Sequence, residues 1–65
     1  MNYYAVKDLD TGLYFRGKGV NKWGKYFNQA SIYRIKAMAE NAVEDVNRRG
    51  ANSKVITIQI TEIEG

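Results

Sequence analysis

The sequence predicts a small α+β domain: a two-layer ββ(β)αβ fold, with one amphipathic helix packed on one face of an antiparallel sheet. Three observations predict it. Strand-forming runs open and close the chain, a helical stripe of apolar residues lies between Ile35 and Val46, and turn-forming residues separate these segments.

The 65 residues make one domain, spanning 1–65. A domain of this size buries only about 60% of the surface its unfolded chain exposes, so large rings are needed in its core. The segment 2–18 reads as a β-hairpin across the turn Asp8-Leu9-Asp10-Thr11-Gly12, with Gly12 taking the positive φ. Alternation places Tyr4, Val6, Leu13 and Phe15 on the core face, and Tyr3, Ala5, Lys7, Tyr14, Arg16 and Lys18 on the other.

A basic loop rich in glycine follows at 17–28 and holds Trp23, Tyr26 and Phe27, the last two expected to fold inward. A short apolar run at 30–34 has the character of a third strand, although a helix starting near Gln29 also fits it. Ile35, Met38, Ala39, Ala42, Val43 and Val46 then form a single stripe, predicting a helix over 35–49. Its end is marked by the Glu44 to Arg48 spacing, by Arg48 and Arg49 in the last turn, and by Gly50 at the left-handed C′ position. The last strand is predicted at 54–63, where Ile56, Ile58 and Ile60 alternate with polar residues and offer a face for the helix to cover.

Composition narrows the function. The chain has no cysteine, which excludes disulfides and thiolate metal sites. It has no histidine, the commonest acid–base group near neutral pH, so an enzyme is not expected and neither is a cofactor. The first apolar stretch is broken by Lys7 and Asp8, too early for a secretory signal, and no segment has the length of a membrane span. A cytoplasmic protein with no membrane partner is expected. The chain opens on Met1 without tag, repeat or low-complexity segment, and reads as a whole small protein.

Three motif-like strings carry little. Gly19-Val20-Asn21-Lys22-Trp23-Gly24-Lys25 has the spacing of a phosphate-binding loop, but Tyr26 stands where the metal-binding Ser or Thr belongs. As a simple nest of free amides it remains a weaker phosphate site. Asp10-Thr11-Gly12 repeats the aspartic-protease triplet inside a hairpin turn, where turn chemistry explains it. Asp8-x-Asp10-x-Gly12 begins like a calcium loop, yet Gly19 occupies the position of the bidentate glutamate.

The informative pattern is the overlap of rings with unbalanced charge. All eight aromatic residues lie between Tyr3 and Tyr33, and from Thr11 to Ala39 there are six basic residues and no acid. Rings that stack on bases beside cations that neutralise phosphates are how single-stranded nucleic acids are held. The candidate binding residues are Tyr3, Tyr14, Arg16, Lys18, Lys22, Trp23, Lys25 and Tyr33, with the tyrosines expected on the sheet face opposite the helix. The same rings also suit a protein partner, or a homodimer formed through the exposed sheet face.

The layout Tyr3-Tyr4-Ala5-Val6-Lys7, Thr11-Gly12-Leu13-Tyr14-Phe15-Arg16-Gly17, Trp23, Ala30-x-Ile32-Tyr33 and Ala39-Glu40-x-Ala42-Val43 resembles small bacteriophage and mobile-element accessory proteins. That resemblance implies a non-catalytic binding factor in a host cytoplasm. Three partner classes follow: nucleic acid, a host protein or nucleoprotein blocked in an anti-CRISPR-like manner, and a nucleotide signal held as by a sponge.

Overall fold

The computed structural model describes residues 1–17 and 22–63. Four strands form one antiparallel sheet: β1 (Asn2–Asp8), β2 (Tyr14–Phe15), β3 (Trp23–Gly24) and β4 (Ser53–Gln59), in the order β3-β2-β1-β4. A 3₁₀ turn, Phe27–Gln29, and one helix, α1 (Lys36–Arg48), complete the α+β fold. Long β1 and β4 pair along their whole length, from Asn2 with Gln59 to Asp8 with Ser53.

The hairpin turn is closed by its own side chains. Thr11 donates its hydroxyl to Asp8 Oδ2 at 2.6 Å, the Gly12 N–H reaches the Asp8 carbonyl at 2.9 Å, and Gly12 adopts φ 75°. On the open face of the β2–β3 ribbon, a Cβ at Gly24 would lie 2.8 Å from Gln29 Cβ and 3.0 Å from Arg16 Cδ. Only glycine lets the 3₁₀ turn rest there.

Helix α1 lies over β1 and β4. Its buried Ala39 and Val46 meet Val6, and Tyr4, Phe15, Trp23, Tyr33, Ala42, Val43, Ala51 and Val55 pack around them. The small Ala39 and Ala42 bring helix and sheet close, and rings fill the flanks. Ile35 stands at the N-cap of α1 and offers no side-chain cap, and the helix ends through Arg49 into Gly50 at φ 105°. The Glu44–Arg48 pair forms at 3.2 Å.

Four expectations need correction. The third strand is Trp23–Gly24, inside the basic loop, while segment 30–34 contributes a single bridge between Tyr33 and Tyr4. The cause is the brevity of β2: it leaves half of the β1 edge unpaired, and Tyr33 exchanges both backbone hydrogen bonds with Tyr4, at 2.7 and 2.8 Å, to fill it. The last strand stops at Gln59, and Ile60 and Ile63 are exposed.

The helix does not cover the isoleucines. Val55 pairs with Val6 and belongs to the helix side, so Ile56 and Ile58, opposite Ala5 and Tyr3, lie on the open face. This parity is held by Asn47 on the helix, whose side-chain amide accepts from the Ser53 N–H at 2.8 Å and donates to the Ser53 carbonyl at 3.1 Å. Finally, Tyr26 and Phe27 do not close the core: they are 61% and 47% exposed.

Candidate nucleic-acid interface

Strand alternation and register define the open face: Tyr3, Ala5 and Lys7 from β1, Tyr14 from β2, Gly24 from β3, and Lys54, Ile56 and Ile58 from β4. One row crosses the whole sheet as Gly24, Tyr14, Lys7, Lys54. Lys7 and Lys54 are direct cross-strand partners, an arrangement of like charges that destabilises an isolated sheet. Lys7 places its ammonium over the Tyr14 ring, 5.3 Å from the centroid. Phe27 meets Tyr14 edge-on, with centroids 5.6 Å apart. Arg16 leans over Gly24 and adds a third cation.

None of the described strand residues on this face is a carboxylate. Of the other described acids, Asp8 lies on the helix side, Asp10 in the turn, Glu40, Glu44 and Asp45 on α1, and Glu62 beyond the end of β4. The chain therefore presents one cationic, ring-bearing surface and one surface of mixed charge.

The structure divides the sequence-predicted residues between these surfaces. Tyr3, Tyr14 and Arg16 share the open face. Arg34 joins Tyr3 beside a shallow hollow at its margin. Lys25 is exposed, 5.8 Å from the centroid of the Tyr26 ring. Lys18 lies outside the described residues.

Trp23 and Tyr33 belong to the helix side instead. Trp23 pairs with Phe15 in register and packs edge-on against it at 5.5 Å, because β3 is a strand whose alternation turns the indole toward the core. Tyr33, bridged to Tyr4, packs against the same core, and burial pushes its phenol above the ordinary value. Lys7, which alternation had already set beside the tyrosines, completes the open face with Lys54, Ile56 and Ile58, and these last three were missing from the sequence-based reading of this face. For β4 the missing signal was parity, since both of its faces carry aliphatic residues.

A second concavity of about 320 Å³ lies on the helix side, lined in part by Phe15 and Trp23. Val46 and Ala51 help line it, and Lys22, Asp45 and Arg49 stand at its rim. Its acids are engaged: Asp45 pairs with Arg49 at 3.7 Å, and Asp8 accepts from Thr11. The Thr11 hydroxyl holds the Asp8 carboxyl below its ordinary range, the Asn52, Asp10 and Thr11 backbone N–H groups assist, and burial opposes.

Compared with protein-family models, curated proteins and solved structures, the chain gives no match. The reading of the site rests on its own chemistry. Among the described residues no helix is long and apolar enough to cross a membrane.

Proposed function

We propose that the protein is a non-catalytic binding factor whose open sheet face holds single-stranded nucleic acid. The observation that carries this reading is the Tyr14, Lys7, Lys54 row: two lysines placed side by side, next to a ring, on a face whose described strand residues include no carboxylate. A bridging phosphate relieves the repulsion between the two ammonium groups, and Tyr14 and Tyr3 supply π faces for bases. Arg16 and Arg34 extend the cationic track on either side. The lack of histidine and cysteine in the sequence suits a binding role, and the resemblance to bacteriophage accessory proteins would give such a factor a context.

A second reading has its own observation. Half-buried Ile56 and Ile58 sit beside Tyr3 as an apolar strip on the same face, over the fully buried Ala5, which suits a host protein as partner, with the lysines at its rim.

Titration of fluorescent single-stranded DNA and RNA oligonucleotides separates the two. With about four phosphate contacts the log–log salt slope is expected near −3, and the Lys7→Gln and Lys54→Gln proteins should each lower its magnitude by about 0.7. Absence of binding at low salt, or affinity indifferent to salt, would overturn the nucleic-acid reading. Capture of a host protein after nuclease treatment would then favour the second.

A further inference from the structure

The β4 strand forms an edge of the sheet, and the hydrogen-bond pattern fixes which of its backbone groups face outward. On β1, Tyr4 bonds to Tyr33, and Asp8 to Gly12 and Leu13, all on the side away from β4. The pairs Tyr4 with Thr57 and Asp8 with Ser53 are therefore non-hydrogen-bonded, and Ser53, Val55, Thr57 and Gln59 direct their N–H and C=O groups to the free edge. Ser53 is already capped by the Asn47 amide. The free edge is left with Val55, Thr57 and Gln59, in a strand without proline or bulge.

We infer that this edge pairs with the same edge of a second copy, antiparallel about a two-fold axis at Thr57. Of the self-pairing registers, this one alone pairs the three open residues among themselves, and it leaves the Asn47 cap undisturbed. Thr57 meets Thr57 of the other copy, and Val55 meets Gln59 twice, giving about six backbone hydrogen bonds. Ile56 faces Ile58 on the open side, and Lys54 faces Ile60, so no lysine opposes a lysine.

The helices agree with this register. Directly opposed antiparallel residues share a face, so both helices lie on one side of a continuous eight-stranded sheet. With strands about 4.8 Å apart and each helix over β1 and β4, the two axes run about 10 Å apart, a helix-packing distance. From Ser53, held by Asn47, to Thr57 is a rise of about 13 Å, or about nine helical residues, so the axis passes near Met38. Lys36 and Glu40 flank that point on the Asn47 side of the helix. Both are exposed, and neither enters the ion pairs among the described residues, which join Arg48 to Glu44 and Arg49 to Asp45. Antiparallel packing sets Lys36 of each copy beside Glu40 of the other.

The inference is independent of nucleic acid, and its test contains none. Light scattering over a concentration series should show the mass rise from 7.4 kDa toward twice that value. Amide exchange in the dimer should protect Val55, Thr57 and Gln59. Thr57→Pro removes the central donor and should yield a monomer, with circular dichroism reporting its fold. Lys36→Glu should weaken association about fivefold, and the exchange Lys36→Glu with Glu40→Lys should restore it. A monomer at the highest soluble concentration would overturn the inference, as would a dimer whose Val55, Thr57 and Gln59 amides exchange freely. Association indifferent to Lys36→Glu would overturn the assigned register.

Discussion

The covered and open faces of the sheet are made by alternate residues of the same strands, and their chemistry differs. Under α1 the strands place Tyr4, Val6, Phe15, Trp23 and Val55, a set of rings and valines matched to a helix studded with alanine. On the open side they place Tyr3, Ala5, Tyr14, Ile56 and Ile58 around a pair of lysines. The covered set follows packing. The open set pairs like charges and leaves isoleucines half-buried, arrangements that packing alone disfavours. A local rule broken on one face and obeyed on the other marks the face under a different requirement.

Neighbouring rings test the contrast most sharply. Tyr14 and Phe15 are adjacent in sequence, and alternation sends them to opposite faces. Phe15→Ala should cost about 3 kcal/mol, a large share of the 3–10 kcal/mol or so that a domain of this length holds, and Tyr14→Ala about 1 kcal/mol. Urea midpoints of the two variants measure the difference. Equal losses would mean that the open face is as much core as the covered one.

That contrast also explains what could be read from the sequence. The helix, both long strands and the inward Tyr4, Val6 and Phe15 follow from periodicity, because each lies in a segment with one dominant period. The β4 face was not legible, since Val55 and Ile56 both suit a core and the choice depends on Asn47 holding Ser53, a contact between residues of no distinctive pattern. Strand β3 was hidden because Trp23-Gly24 has the composition of a loop and pairs only through tertiary placement. Tyr33 was read as part of a strand facing outward, whereas the short β2 draws it to the edge of β1 as a single bridge.

Acid should affect the covered side through Asp8. Its carboxyl is held below the ordinary aspartate value, mainly by the Thr11 hydroxyl, so the unfolded chain takes up its proton first as pH falls. The stability it contributes is complete above that value and is lost as pH drops through the lower folded value. Urea midpoints measured from pH 6 to pH 2 should fall, and Thr11→Val should flatten the fall. An unchanged profile in that variant would remove Asp8 as its source.

The smallest effect is the most diagnostic, because its sign separates the two faces. Any substitution that trims the covered side should destabilise, whereas Lys54→Gln removes one member of the Lys7–Lys54 pair and should stabilise the fold by about 0.5 kcal/mol at low salt. Added salt screens the repulsion and should shrink the gain. Thermal melts of both proteins at two salt concentrations resolve it. A variant that melts higher yet holds oligonucleotide less firmly would show that the lysine pair is kept for its ligand at the expense of stability. One that melts no higher would mean the two ammonium groups already avoid each other, Lys7 over the Tyr14 ring and Lys54 in solvent, and the open face would lose its strongest sign of a function apart from packing.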